Sequence, residues 1–108
     1  MKEKKFHCPV EATLSVIGGK YKCVILYHLL IDGTLRFSEL SRLMPQATAK
    51  MLTQQLKDLE HDGLILRKVY PVVPPKTEYS LTKQGQTIAP IVTAMCDWGN
   101  EYMSDTIL

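Results

Sequence analysis

Apolar and polar residues recur at helical spacing between residues 48 and 62. An apolar residue returns every three or four positions, at Ala49, Leu52, Leu56 and Leu59. Polar and basic residues return at the same interval, at Lys50, Thr53, Gln54 and Lys57. At about 100° per residue the two sets lie roughly half a turn apart, so the pattern predicts an amphipathic helix. Thr48 and Gly63 are suited to cap its start and its end.

Two helices are predicted before it, near the N-terminus. Pro9 to Ile17 begins with proline, which the first turn of a helix tolerates, and Gly18-Gly19 follows it. Residues Lys20 to Leu30 are apolar on almost every side, which predicts a central, buried helix. We therefore interpret His28, inside that helix, as a core residue rather than a ligand.

A short turn joins a third helix to the amphipathic one. Thr34 to Arg36 predicts a brief strand. A helix follows from about Ser38, with its inward face at Leu40, Leu43 and Met44. Pro45 ends it, because proline disfavours the helical conformation of the residue before it. Two helices joined by so short a turn form a helix-turn-helix.

A β-hairpin is predicted next, over residues 64–81, and we call it the wing. Leu64 to Tyr70 and Thr77 to Leu81 are rich in the apolar and β-branched residues of strands. The loop between them contains three prolines, which cannot donate to a sheet ladder. It should therefore protrude as a stiff finger. The wing is basic at Arg67, Lys68 and Lys76, and we expect Lys76 at the fingertip.

A long helix is predicted from its cap, Thr82, to about residue 103. Pro90 interrupts it and should bend it. Its broad apolar stripe contains Ile88, Ile91, Val92, Met95, Trp98 and Tyr102. The stripe either closes the monomer core or packs on a second copy, and at this chain length we favour the second.

Composition is that of a single globular domain. The chain has 108 residues, with 45% hydrophobic and 22% charged content. No apolar run approaches the ~20 residues of a membrane span, and the start MKEKKFHC lacks the apolar segment of a signal peptide. We expect a cytoplasmic protein without a membrane partner. Residues 1–7 should form a flexible basic arm and residues 8–106 one domain.

Positive charge gathers in the middle of the chain. The net charge is only +2. Between Lys20 and Lys76, however, nine Lys or Arg face five Asp or Glu, whereas the segment from Trp98 onward has acids and no base. The basic region therefore coincides with the amphipathic helix and the wing.

The three cysteines, Cys8, Cys23 and Cys96, do not indicate a disulfide framework, because their number is odd and no signal peptide is apparent. Cys23 and Cys96 stand in apolar helical runs and are predicted to be small buried hydrophobes. Cysteine and histidine show no metal-ligand spacing. No nucleophile–base pair or phosphate-binding glycine loop is apparent. We expect no enzyme, cofactor or metal.

The polar face of residues 48–62 carries groups of the kinds that contact DNA, and we call this segment the reader helix. The alternative is an ordinary solvated face, as most surface helices have. Amides and hydroxyls contact base edges, and ammonium groups hold phosphates. We predict base contacts from Thr53, Gln54 and Gln55. Phosphate and wing contacts are predicted from Thr48, Lys50, Lys57, Arg67, Lys68 and Lys76. For Arg67 and Lys68 the alternative is a solvated strand charge without DNA contact.

Several strings of the sequence together resemble the HxlR-type family of bacterial transcriptional regulators. They are CPVEATLSVIGGKYK, LRFSELSRLMP, MLTQQLKDLEHDGLILRKVYPVVPPKTEYSLTKQG and CDWG, and they span about Cys8 to Tyr102. The resemblance implies a mainly α fold with a small β-hairpin wing (α+β). This fold is a winged helix-turn-helix with extra N- and C-terminal dimerisation helices. It also implies a homodimer that binds operator DNA, usually as a repressor of nearby genes.

A two-fold dimer holds two reader helices about one helical turn of DNA apart, roughly 34–36 Å, which predicts a near-palindromic operator. The first and last helices should form the dimer. Its interface is predicted at Val10, Leu14, Ile88, Ile91, Val92, Met95, Trp98 and Tyr102.

Cys8 matches the thiol sensor of the family, the cysteine that opens CPV. Several members respond to electrophiles, oxidants or aldehydes, and the resemblance implies such an effector here. Basic side chains lie close to it along the chain, at Lys4, Lys5 and His7. Modification of an arm beside the dimer-forming helix would shift the half-site spacing. The alternative is an ordinary surface thiol.

The chain departs from the family pattern at four positions. Tyr21 replaces a frequent tryptophan, Gln46-Ala47 replaces glycine and isoleucine, and Gln55 replaces a frequent arginine. These changes are compatible with the same fold, but the operator sequence does not follow from the family.

A different class of function is a winged helix used only for protein–protein contact. The polar face disfavours it, because docking helices usually offer apolar anchors.

Overall fold

The computed structural model describes residues 4–108. In that part of the chain there are six α-helices, three strands and a terminal 3₁₀ turn. They are α1 (Pro9–Ile17), α2 (Lys22–Asp32), β1 (Leu35–Arg36), α3 (Phe37–Leu43), α4 (Ala49–His61), β2 (Ile65–Tyr70), β3 (Lys76–Leu81), α5 (Lys83–Gln86), α6 (Ala89–Tyr102) and the turn Ser104–Thr106. The predicted arm, residues 1–7, lies partly outside the described residues, and residues 4–7 form neither helix nor strand.

The three strands form one antiparallel sheet in the order β1-β3-β2. The hairpin pairs Ile65 with Leu81 and Tyr70 with Lys76. Each wing strand therefore starts one residue from its predicted start and ends at its predicted end. β1 lies on the other side of β3, where Leu35 pairs with Tyr79. This short strand attaches the wing to the helical part of the domain.

The core lies where α2, α3 and α4 meet beneath the sheet. Ile25, Leu26 and Leu29 of α2 are at most 2% exposed, which confirms the prediction of a central helix. The apolar stripe of α4 packs against it through Leu52, Leu56 and Leu59, none more than 1% exposed. Because this stripe is fully buried, the opposite face of α4 must point outward.

Two residues predicted to face inward are exposed instead. Leu43 lies about 100° around α3 from the buried Met44, outside the narrow inward face. Ala49 is exposed because the buried face of α4 is turned the other way. The half-buried residues Met51 and Gln55 both lie on that other side.

The predicted long terminal helix is wrong as one continuous element. Thr82 caps only the four-residue α5, where its side chain accepts the N–H of Gly85. The helix is interrupted after α5, and α6 begins at Ala89 with Pro90 in its first turn. A proline has no N–H to continue the helix and its ring clashes with the preceding turn. The predicted bend is therefore a break between two helices.

Candidate nucleic-acid interface

The start of α4 is fixed by the predicted cap. The Thr48 hydroxyl accepts the backbone N–H of Met51 at 3.1 Å. At the other end, Gly63 has φ of 80°, a left-handed conformation that glycine adopts without strain. The reader helix therefore has the predicted limits, with Thr48 and Asp62 as its flanking caps.

The outward face of α4 carries the predicted contact residues. Lys50, Thr53, Gln54 and Lys57 are all exposed. Their positions lie opposite the buried leucine stripe, as the helical spacing requires. The structure therefore presents one amide, one hydroxyl and two ammonium groups on a single open surface, which we call the reader face.

Gln54 is held on this surface by a neighbour on the same helix. Its Nε2 donates to Oδ1 of Asp58 at 3.0 Å. The other carboxylate oxygen of Asp58 lies 3.6 Å from Nζ of Lys22, a residue of α2. The sequence pattern did not reveal this three-residue contact, because Lys22 is 36 positions away from Asp58.

Gln55 is placed differently from the other predicted base-contact residues. It is half-buried, and its Oε1 accepts the backbone N–H of Tyr21 at 3.4 Å. Gly19 leaves the space for this side chain, since an added Cβ would collide with Gln55 Oε1. The geometry assigns Gln55 to the joint between α4 and the start of α2, which contradicts its prediction as a base contact.

A depression of about 290 Å³ lies between the reader helix and the wing, and it brings two predicted cations together. Lys57 of α4 and Arg67 of β2 both line it, with the Thr53 hydroxyl beside them. Glu60 lines it as well, so the positive potential is partly offset. Arg67 therefore lies on the same side of the domain as Thr53 and Lys57 of the reader face.

The wing holds its lysines against an aromatic ring that the sequence analysis missed. The Nζ atoms of Lys68 and Lys76 lie 5.0 and 4.8 Å from the ring centroid of Tyr70, within range of a cation–π contact. Lys76 also lies 3.9 Å from the carboxylate of Glu78. In the sequence, the only indication of this contact is an aromatic residue, Tyr70, within a basic hairpin.

The predicted fingertip position of Lys76 is wrong. Lys76 begins β3 and is half-buried at the base of the loop. The tip is apolar instead, with Val72 50% exposed and Val73 99% exposed. The reason is register: Lys76 pairs with Tyr70 as the last rung of the ladder.

The first and last helices share an exposed apolar surface. Val10 and Leu14 of α1 and Ile91 and Met95 of α6 line one cavity of about 520 Å³, and each is more than 40% exposed. Farther along α6, the exposed rings of Trp98 and Tyr102 lie 5.2 Å apart between centroids. We call these six residues the apolar face.

Two predicted interface residues belong to the monomer core. Val92 is 4% exposed, and Ile88 is half-buried and packs against the core. Val92 lines the same groove as Cys23, Val24 and Tyr27 of α2. For Val92 the prediction of a dimer contact is therefore wrong, and the stripe divides into a buried part and an exposed part.

The three thiols occupy different surroundings. Cys8 is exposed and stands at the N-cap of α1. Cys23 and Cys96 are half-buried rather than fully buried, because they line a shallow groove of about 300 Å³ where α2 and α6 meet. Burial raises the pKa of the Cys23 thiol, so its reactive thiolate form is disfavoured.

Neither a cluster of metal ligands nor a single membrane-spanning helix is found in residues 4–108. No three His, Cys, Asp or Glu side chains there converge as metal ligands would. No single described helix is long and apolar enough to cross a membrane, and α1 and α2 meet that test only as a pair bent by 74°.

A helix-turn-helix with an exposed polar second helix, followed by a basic β-hairpin, defines a winged helix-turn-helix protein. The model of the HxlR-like helix-turn-helix family matches residues 16–107. The chain belongs to this family of transcriptional regulators. It is thus a DNA-binding regulator, which sets aside the alternative of a module for protein contact alone.

Relatives and solved structures agree with this assignment. The uncharacterised HTH-type transcriptional regulator YdeP of Bacillus subtilis is 57% identical over 95 residues, 88% of this chain and 73% of YdeP. The redox regulator HypR in its oxidised form has a TM-score of 0.83 and 55% identity, covering 87% of this chain and 96% of that one. Reduced HypR has a TM-score of 0.82 and 51% identity, covering 93% and 100%.

Proposed function

We propose that this protein is a homodimeric repressor that binds a near-palindromic operator and controls nearby genes. The observation that carries the proposal is the reader face, whose amide, hydroxyl and ammonium groups all project away from a fully buried stripe. A helix of this kind fits the major groove of B-form DNA.

Within the reader face we assign Thr53 and Gln54 to base edges and Lys50 and Lys57 to phosphates. Glutamine pairs with adenine through one acceptor and one donor. The N-terminal N–H groups of α4, behind the Thr48 cap, offer a further phosphate site, because the helix dipole favours an anion there.

The wing supplies the second contact with the DNA backbone. Arg67 shares a depression with Lys57, which supports a joint contact of the helix and the hairpin with one DNA backbone. Lys68 and Lys76 flank Tyr70, which holds both ammonium groups at the loop end of the wing strands. We propose that these two lysines contact the backbone beside the major-groove site.

The dimer forms through the apolar face of α1 and α6. Large apolar side chains there are between 41% and 68% exposed in the single chain. Such a contiguous exposed patch marks an interface, and a second copy with the same patch covers it with two-fold symmetry.

Thiol modification at Cys8 is the proposed switch. Cys8 is exposed directly before α1, which contributes Val10 and Leu14 to the apolar face. An oxidant, electrophile or aldehyde that modifies Cys8 would thereby alter the spacing of the two reader helices. The similarity to HypR, described as a redox regulator, supports this proposal.

The rest of the proposal follows from a regulatory role. We place the protein in the cytoplasm, because its target is chromosomal DNA, and we assign it no catalytic activity. These assignments extend the family membership, which concerns transcriptional regulators.

A salt titration with two variants tests the proposal. Lys57→Ala should weaken binding to every duplex and reduce the slope of log K against log salt by about 1, since one phosphate contact is lost. Gln54→Ala should instead relax the preference at one base pair, by roughly 1–3 kcal/mol of discrimination. Fluorescence anisotropy with labelled duplexes measures both. The proposal fails if the unmodified protein does not bind duplex at low salt.

A further inference from the structure

A line of polar contacts runs from the core side of the domain to the reader face. It begins at Lys22 of α2, which is only 8% exposed. The Lys22 ammonium lies 3.6 Å from Asp58 Oδ2, and Asp58 Oδ1 accepts the side-chain N–H of Gln54 at 3.0 Å. A residue beneath the helix is thus connected, through one carboxylate, to a residue that faces outward.

The fold makes room for this lysine. Lysine is rarely so buried unless it is paired, and Asp58 is its ion-pair partner here. Gly19 permits the placement, because an added Cβ would lie 2.8 Å from Lys22 Cε and 2.9 Å from Cδ. The lysine stem therefore lies against the glycine turn between α1 and α2, and only its charged end reaches the reader helix.

The contact fixes which groups Gln54 offers. A glutamine amide has two N–H donors and one carbonyl acceptor. Asp58 occupies one N–H, since a carboxylate accepts but does not donate. One donor and one acceptor remain on Gln54. Without Asp58 the amide of Gln54 is free to rotate and to present both of its N–H donors to the DNA.

We propose that Asp58 and Lys22 are positioning residues that set the base specificity of Gln54 toward adenine. This inference rests on the proposed function and deepens it. In the major groove adenine presents one acceptor, N7, and one donor, the N6 amine, which match the groups left on Gln54. Guanine presents two acceptors, O6 and N7, so a glutamine with one free N–H satisfies only one of them.

The expected effect on base preference can be estimated from the cost of ordering the Gln54 side chain on binding. Fixing one flexible side chain before binding improves affinity by roughly two- to tenfold. Asp58→Ala should therefore reduce the preference for adenine over guanine, at the position that Gln54 contacts, by that factor. In a Gln54→Ala background the same substitution should change the preference at that position by less than about twofold, because no amide remains to position.

The experiment uses the full-length chain and a randomised duplex library. The unmodified protein first selects its preferred duplex, and Gln54→Ala identifies the base pair that Gln54 contacts. Binding to all four base pairs at that position is then measured for Asp58→Ala, Lys22→Met and the double variant Gln54→Ala/Asp58→Ala. Glu60→Ala is the charge-matched control, since it removes an exposed carboxylate from the same helix. It should strengthen binding to all four duplexes alike.

Two conservative variants separate positioning from folding. Asp58→Asn keeps an oxygen that accepts from Gln54, so it should retain more of the preference than Asp58→Ala. Lys22→Met keeps the apolar stem and removes only the charge, so Asp58 is less firmly held and the preference should fall by a smaller factor. Circular dichroism melting shows that each variant is folded under the binding conditions.

Four results would overturn the inference. They are a full preference in Asp58→Ala, an equal loss of affinity for all four bases, a preferred base other than adenine, and an equal effect of Asp58→Ala with and without Gln54. If Asp58→Ala does not fold, Asp58→Asn and Lys22→Met decide the question through the same preference. A different result, no sequence preference in the unmodified protein, would remove the proposed function itself.

Discussion

At the scale of single residues, the surroundings of a group decide its chemistry more than its identity does. Cys8 and Cys23 are both free thiols. Cys8 is exposed at the start of α1, whereas Cys23 lies against α6 and its Sγ contacts the carbonyl oxygen of Ile17 at 3.6 Å. Burial raises the pKa of the Cys23 thiol, so at neutral pH it should react more slowly than an exposed thiol.

Cys8→Ser should abolish the response of DNA binding to diamide or to an aldehyde, because the reactive thiol is then absent. Cys23→Ser is the matched control and should leave that response intact. Gel mobility of the operator complex, before and after treatment, measures the effect. An unchanged response in Cys8→Ser would show that this thiol is not the sensor.

His28 should make stability dependent on pH. Burial lowers the pKa of His28 below its ordinary value of 6.5, and the nearby Asp32 opposes this shift. The folded protein therefore binds the proton less readily than the unfolded chain. The stability that neutral His28 contributes is complete above about pH 6.5, and it is lost as the pH falls through the folded-state pKa of His28. In His28→Gln the melting temperature should fall less between neutral and mildly acidic pH, as measured by circular dichroism. An identical fall in both proteins would contradict this expectation.

At the scale of elements, Thr82 joins the end of the reader helix to the start of α5. Its hydroxyl donates to the carbonyl oxygen of Gly63 at 2.6 Å and accepts the N–H of Gly85 at 2.9 Å. These bonds tie the wing base to the helix that follows it. The sequence predicted Thr82 as a cap, but its bond to Gly63 joins residues 19 positions apart and became apparent only in the fold.

Thr82→Val should destabilise the domain by about 1–2 kcal/mol, because two hydrogen bonds are lost without a change in shape. Thr82→Ser retains the hydroxyl and should lose much less. Urea unfolding of the two variants, followed by circular dichroism, gives the difference. Equal stabilities for Val and Ser would show that the hydroxyl bonds contribute little.

The boundaries of elements were predicted best where a local signal ends the helix. Pro9, Thr48 and Gly63 act on their own turns, so α1 and α4 have their expected limits. Pro90 was recognised, but whether the chain bends or breaks there depends on how α5 and α6 pack. The close approach of Gly85 to the carbonyl of Leu64 belongs to that packing.

At the scale of the whole molecule, the proposed DNA-binding surface and the proposed dimer surface lie on different elements. The reader face and the wing are polar and basic. The exposed parts of α1 and α6 are apolar, and Trp98 remains 59% exposed in the single chain. Because large aromatic residues often dominate association energy, Trp98 is the expected centre of the interface.

Trp98→Glu should weaken the dimer by at least tenfold, because a carboxylate would be buried without a partner. Val73→Glu is the control, since it places the same charge on an apolar residue at the wing tip, 99% exposed and away from α6. Sedimentation velocity at micromolar concentration measures the distribution of monomer and dimer. Equal association of the two variants would remove the proposed interface.

The sequence by itself determined the helix-turn-helix, the wing and the identity of the reader face. These features depend on spacing, caps and prolines, which act within one or two turns of the chain. Leu52, Leu56 and Leu59 fix which side of α4 is buried, and the polar residues opposite them follow from helical geometry alone. The free thiol at Cys8 was found through the family motif that contains it.

Only the tertiary structure decided which side chains meet across elements. It turned Gln55 toward Tyr21, seated Lys76 beside Tyr70 and buried Val92 while leaving Trp98 exposed. It also brought Lys22 to Asp58. Each of these contacts depends on how two elements pack against each other, a relation that no spacing along the chain encodes.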